Sequence, residues 1–327
     1  MSIEQDSALQ IQISDAGSAP QRTPLSQVFS AALREVITDT ETYDGLYRHY
    51  MGIDPLYPPS CTDCGDWPAW DDLGSSVQTL LKGGVVRFGY IPGTPYVYSG
   101  DDGLTGFDFD LAALALAKVA AKYAFYNVPA TLRGEWIEAD PGPQGEAPKL
   151  QILYDGMVAG NFDIAMSGQL EMAEVDAPDA HPDFTCATSQ LFTGIYYSGR
   201  DSATMKAVLE GQVKHTRKEL IDTLNNAWPT VEILVVAASN PGPSPGAAQA
   251  FVDDIIAGGG KASVTFSEDT EWIKRAFMEQ QYHFAVGDSN QNSTLCATPG
   301  FGGVNLDIPA IDGQEPLPLA AFTARPS

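Results

Sequence analysis

The spacing of apolar residues changes repeatedly along this chain, and each change marks a predicted element. Leu25, Phe29, Leu33 and Val36 recur at helical spacing and predict an amphipathic helix over 24–38. Tyr43, Leu46, Tyr47 and Tyr50 predict a shorter helix after it. Residues 52–68 break the pattern with Pro, Cys and Asp. Val85, Val86, Phe88 and Tyr90 then form a short apolar run behind Gly83 and Gly84, which predicts a buried strand. A Gly-, Pro- and Asp-bearing loop over 91–106 leads to an Ala/Leu helix over 108–124. Asp108 and Asp110 stand at its N-terminal end, where a carboxylate favours the helix. A Gly- and Pro-rich segment, 134–149, reads as a surface excursion. A helix around 150–159 runs into FDIAMSG at 162–168, a second buried strand. Strand, helix, helix and strand in that order predict a parallel sheet with helical crossovers.

The second half repeats this logic. LFTGIYYS at 191–198 reads as a strand that crosses to a second lobe, and a helix is expected over about 203–225. VEILVVAAS at 231–239 reads as a buried strand that runs into NPGPSPG. A helix at 246–257, a strand near 262–266, a helix at 268–281 and a strand at 283–289 follow. The organisation expected is a flexible arm at 1–23, two helices at 24–51, a loop at 52–77, lobe one at 78–195 and lobe two at 196–327. A chain of 327 residues is long enough for two such cores.

Charge narrows the partners. Forty-two acidic against 18 basic side chains give a formal charge of −24. That opposes nucleic acid and anionic membranes, both of which are met through Lys and Arg, and it favours cationic small molecules. No stretch reaches the roughly 18 apolar residues needed to span a bilayer, so no membrane insertion is expected. The first residues, MSIEQDSALQIQISDAG, lack a basic and then apolar signal pattern. The chain therefore reads as cytoplasmic as written, or periplasmic or extracellular if a leader has been lost.

Cys61 and Cys64 form a CxxC inside a proline-rich loop, and Cys186 and Cys296 stand alone. Two thiolates fall short of the four ligands of a structural zinc site. A local disulfide and free thiols both stay open. His49, His181, His215 and His283 are dispersed. Neither a metal nor a cofactor is expected.

Four segments together resemble a known family, the amino-acid type of extracellular solute-binding proteins (periplasmic binding protein, type II). LLKGGVVRFGYIPGTPYVYSGDDGLTGFDFDLAALALA is similar to that family's first strand, ligand loop, glycine turn and first helix. LYDGMVAGNFDIAMSG is similar to its next helix and strand, VVAASNPGPSPGAAQ to the opening of lobe two, and IKRAFMEQQYHFAVGDS to that lobe's later helix and strand. The likeness runs over roughly 78–325. It implies a two-lobed α/β fold with a small-molecule cleft between the lobes. One feature departs from the family order. ETYDGLYRHYMG resembles the helices that normally close the chain, yet here it precedes the first strand. That implies a circular permutation, with a domain swap and a chance likeness of an amphipathic helix as the alternatives.

The resemblance also implies site residues. Tyr96 stands where the family sets an aromatic ring against its ligand, with Tyr90, Tyr98 and Trp136 as weaker candidates. Ser167, Gly168 and Gln169 stand at the lobe-one ligand loop, and Ser244 at the lobe-two loop. Asp288 resembles the carboxylate that pairs with a ligand ammonium. The family's ligand-carboxylate Arg is missing. Val175 takes its place beside Glu171 and Glu174, and no Arg lies between Arg133 and Arg200. Losing that fork while keeping the Asp implies an amine or other cation without an α-carboxylate. The first reading of function is therefore a binding module for a small polar or cationic metabolite, with a transporter as candidate partner and a homodimer left open. The second is a cytoplasmic biosynthetic enzyme, a lyase, dehydratase or isomerase on the same scaffold, with Glu171, Glu174 and Asp288 as candidate catalytic carboxyls.

Overall fold

A computed structural model describes residues 22–51, 55, 65–139, 149–168, 182–191, 193–197, 217–236, 252–267, 272, 275–276, 279, 282–288, 302–304 and 317–324. The apolar run Val85–Tyr90 forms β1. β1 pairs in parallel with β4 (Arg133–Glu138) on one side and β5 (Ile164–Ala165) on the other. β12 (Leu317–Ala324) runs antiparallel to β5, and β6 (Pro182–Leu191) closes the edge antiparallel to β12. In the second sheet, β8 (Val231–Val236) pairs in parallel with β9 (Ala262–Ser267) and β10 (Phe284–Asp288). β7 (Thr193–Tyr197) runs antiparallel to β10, and β11 (Gly302–Val304) antiparallel to β7.

The sheet orders are β4-β1-β5-β12-β6 and β9-β8-β10-β7-β11. Each follows one rule: second strand, first, third, a visitor, fourth. The visitor in the first sheet is β12, from the far end of the chain, and the visitor in the second is β7, which follows the first sheet's edge strand. The chain thus crosses between sheets twice, and the fold is two-lobed α/β. A small hairpin of β2 (Tyr98–Gly100) and β3 (Gly103–Thr105) sits within the 91–106 loop.

Helices cover the first sheet on both faces. α1 (Pro24–Thr38), α2 (Thr40–Met51), α3 (Gly74–Gly83) and α4 (Phe107–Lys122) contribute to one cluster. Phe29, Leu33, Tyr43, Leu81, Leu111 and Leu116 meet Val86, Phe88 and Ile164 of the sheet there. The opposite face packs on α5 (Lys149–Val158) through Leu153, Tyr154, Met157 and Phe162. Phe162 fits because Gly89 of β1 and Gly156 of α5 have no side chains: a Cβ on either would collide with its ring. In the second lobe, α6 (Arg217–Ala227) and residues 252–257 are helical.

α1 starts at Pro24, with Thr23 as N-cap accepting from the Ser26 N–H at 3.3 Å. Its buried face is not wholly apolar. Ser26 Oγ donates to the Phe184 carbonyl at 3.3 Å, and Ser30 Oγ accepts from the Cys186 N–H at 3.1 Å. Tyr43 Oη of α2 donates to the Thr188 carbonyl at 2.9 Å. Residues 184, 186 and 188 are alternate positions of an edge strand, so the two N-terminal helices satisfy backbone groups that an open edge would leave unpaired. Thr23 also ties α1 to the last strand. Its N–H donates to Asp183 at 2.5 Å, and its hydroxyl lies 2.8 Å from that of Thr323.

Several expectations change. The segment expected as a loop, 52–77, runs into α3 from Gly74. Residues 134–138, read as part of a surface excursion, lie in edge strand β4, whose RGEWIE pattern alternates half-buried with exposed and so has no apolar run. β6 also went unread, because its sequence PDFTCATSQL is polar; Asp183, Thr185, Thr188 and Ser189 are nevertheless buried. Cys186 on that strand is disulfide-bonded, so it is not a free thiol. Cys61, Cys64 and Cys296 lie outside the described residues.

Candidate functional site

The candidate residues of the first lobe gather where β1 and β5 end. β5 is only two residues long, and its exit is fixed by the Met166 N–H donating to the Gly89 carbonyl at 3.0 Å. Ser167 Oγ then donates to the Ile91 carbonyl at 2.6 Å, which ties the β5 exit to the β1 exit. Gly168 follows in the left-handed region, with φ of 60°. A Cβ there would lie 2.5 Å from the Tyr96 ring, so the ring packs flush on the glycine. Tyr96 is buried within the large cluster.

The loop 91–97 also closes on the start of α4. The Phe107 N–H donates to the Pro95 carbonyl at 2.9 Å, and the Asp108 N–H to the Tyr96 carbonyl at 3.0 Å. Gly106 permits this approach, since a Cβ there would run into the Tyr96 carbonyl oxygen. The first two N–H groups of α4 are therefore taken by the protein's own loop rather than presented to an anion.

Asp108 joins all three pieces. It lies in the first turn of α4, but its side chain leaves the helix, and Oδ2 accepts from the Gly168 N–H at 2.7 Å. The residue is 1% exposed, and among the described residues Oδ1 has no hydrogen-bond partner. Burial pushes the carboxyl up from 3.8 to about 7, against the opposing pull of the Gly168 bond. Sequence reasoning gave Asp108 only a role in starting the helix. The signal that could have found its second role is the pair of Asp108 and Asp110 in one first turn, of which one faces inward. Asp110 instead accepts from Tyr50 Oη of α2 at 2.5 Å, and the same hydroxyl lies 2.9 Å from Thr105 Oγ1. Burial first, and then the Asp110 bond, raise the Tyr50 pKa.

Trp136 stands on β4, half-buried, stacked on Phe88 at 4.8 Å and tilted against Phe109 at 5.4 Å. Tyr90 meets it edge-on at 6.0 Å. Tyr98 begins β2. Asp288 is the last residue of β10, paired with Thr193 of β7. β10 and β5 hold the same place in their sheets, so Asp288 and Ser167 occupy matching positions at the exits of the two third strands. Gln169, Glu171, Glu174, Val175 and Ser244 lie outside the described residues. The structure thus brings Tyr96, Ser167 and Gly168 together around Asp108, with Trp136 on the neighbouring strand. Among the described residues, no group of three or more His, Cys, Asp or Glu is placed to hold a metal ion, and no helix is long and apolar enough to cross a membrane.

No protein-family profile matches the sequence, and no curated protein matches it. Solved structures similar to this chain include an ancestral cationic amino acid solute binding protein, 18% identical over 77% of this chain and 87% of that one, at a TM-score of 0.47. An ancestral cyclohexadienyl dehydratase is similar at 18% identity over 77% and 85%, with a TM-score of 0.46. A polar amino acid ABC uptake transporter substrate binding protein from Streptococcus thermophilus is similar at 16% identity over 75% and 76%, with a TM-score of 0.45.

Proposed function

We propose that this chain binds a small polar metabolite, amine-bearing or cationic, between its two lobes and hands it on to a transporter or sensor. The observation that carries the proposal is the shared strand order of the two sheets. Ligands of open α/β sheets gather at strand C-termini, beside the point where strand order reverses. Here β5 leads through Met166 into Ser167–Gly168 and β10 ends in Asp288, one polar exit for each sheet. The cationic preference is supported by the Asp288 carboxylate, by the formal charge of −24, and by the lack of any Arg between Arg133 and Arg200. The self-bonded start of α4, which offers its first two N–H groups to no anion, agrees with it.

The test is mass spectrometry of a metabolite extract incubated with native protein, against a heat-denatured control. Retention of one compound in proportion to protein supports the binding reading and names the ligand. Consumption far beyond the protein's molar amount refutes a pure binder in favour of the lyase or isomerase reading. Retention of nothing refutes both.

The place of α1 and α2 is part of the same proposal: they stand for the helices that close the chain in the family this sequence resembles. The contact of Thr23 with Thr323 supports this, because the start of α1 and the end of β12 already meet. A chain joined from Ala324 to Arg22 and opened within 52–64 is expected to fold with an unchanged circular dichroism spectrum. Loss of cooperative unfolding in that chain would count against the permutation.

A further inference from the structure

We infer that Asp108 is the positioning residue of the candidate ligand loop, acting through the Gly168 amide, and that its proton sets how firmly that loop is held. Three features carry this. Asp108 Oδ2 holds the Gly168 N–H at 2.7 Å, across 60 residues of sequence. Its Oδ1 is buried without a hydrogen-bond partner among the described residues. The Asp108 backbone N–H is itself bonded to the Tyr96 carbonyl, so the residue that holds Gly168 through its side chain also holds the loop of Tyr96 through its main chain.

A buried carboxyl with one bonded and one orphaned oxygen is poorly served as an anion and better served with a proton. Burial accordingly brings its titration up to about 7, where small changes of conditions alter its charge. Among the described residues, burial and the Gly168 N–H are the causes acting on it, and no cationic side chain is among them. The titratable groups on the elements around it include Tyr96 on the loop, Tyr43 and Tyr47 of α2 against the adjacent Phe107, and Asp110 bonded to Tyr50; α2 also carries Glu41, Asp44 and Arg48, and α4 carries Lys118 and Lys122. His49 packs on the Tyr50 ring at 4.6 Å. When Asp108 is ionised, its bond to Gly168 is charge-assisted and holds the amide harder; when it is protonated, the bond weakens and the loop loosens.

This rests on the binding reading only in taking 167–168 as a ligand loop, and its test needs no ligand. The Asp108 side-chain carbon and the Gly168 amide are followed by NMR in the full chain from about pH 5 to about pH 9, a range that brackets the raised value. The two signals are expected to move with one shared midpoint near 7. Exchange of the Gly168 amide, corrected for its intrinsic pH dependence, is expected to slow about tenfold above that midpoint. Asp108→Asn abolishes the movement at Gly168, while His49→Gln leaves it. A Gly168 signal that stays flat, or one that titrates equally in Asp108→Asn, overturns the proposal. Should that variant not fold, the native protein decides: an Asp108 carbon that stays flat from about pH 5 to about pH 9 overturns it equally. A flat profile sinks this inference even where a metabolite is retained, and failed retention sinks the binding reading even where Gly168 titrates.

Discussion

Replacing Gly89 with alanine probes how the first sheet is joined to α5. Nothing in the backbone of Gly89 demands glycine, since it is an ordinary strand residue without a positive φ. Taken alone, the added methyl group would stabilise the chain by about 0.4–1 kcal/mol through the unfolded state. The obstacle is Phe162, whose ring edge already occupies the place of the new Cβ. The ring has little room to retreat, because it also packs closely on Gly156 of α5, where a Cβ would lie only 2.5 Å from it. Overpacking of this kind costs about 1–3 kcal/mol, and the trapped ring places Gly89→Ala toward the upper end. A net loss near ~2 kcal/mol is a large share of the stability of a domain, roughly a thirtyfold change in the folded-to-unfolded ratio. Urea unfolding followed by circular dichroism measures it, with Phe162→Leu and the double variant completing a cycle. Phe162→Leu removes the atoms in the way, so the double variant is expected to fall short of the summed single losses by at least ~1 kcal/mol. Gly45→Ala on α2, where nothing lies within 4 Å, is the control and is expected to stabilise. A neutral Gly89→Ala, or a strictly additive cycle, would refute the argument.

Gly168→Ala meets both a positive φ and the Tyr96 ring, so it is expected to lower the urea midpoint by an amount comparable to Gly89→Ala and, under conditions where the variant is still folded, to abolish retention of the metabolite in the extract assay. Retention equal to that of the native protein would remove the 167–168 loop from the site. Ser30→Ala removes the Ser30 Oγ acceptor from the buried Cys186 N–H and is expected to cost about 1–3 kcal/mol in the same unfolding assay, whereas exposed Ser75→Ala is expected to cost little. Stability should also fall with rising pH through one identifiable group. The folded state of Asp108 holds its proton more tightly than the unfolded chain does, so its contribution is complete below 3.8 and is lost as pH rises through about 7. Unfolding free energies of native protein and Asp108→Asn across that window are expected to diverge, with the native slope the steeper; parallel slopes would refute the assignment.

The sequence by itself determined those elements whose burial is apolar and whose period is regular. α1, α2, β1, α4, α5, β8 and β10 all announce themselves, because a helix stripe or a buried strand needs apolar side chains at fixed intervals. The family likeness, read from four short motifs, also singled out Ser167, Gly168 and Asp288, which stand at the exits of β5 and β10. Tertiary structure alone decided the edges and the hub. β4 and β6 lie at the two edges of the first sheet, where one strand can be half-exposed and the other can be polar because Ser26, Ser30 and Tyr43 meet its backbone. β12 joins the first sheet across some 300 residues of chain from α1, a pairing that no local pattern encodes. Asp108 looks like any acidic residue in a helix's first turn. Its burial, and its bond to an amide 60 residues away, exist only once α4, the 91–97 loop and the exit of β5 have been packed together. Periodicity fixes which face of an element is buried; it carries no information about which distant group will meet a polar atom on that face.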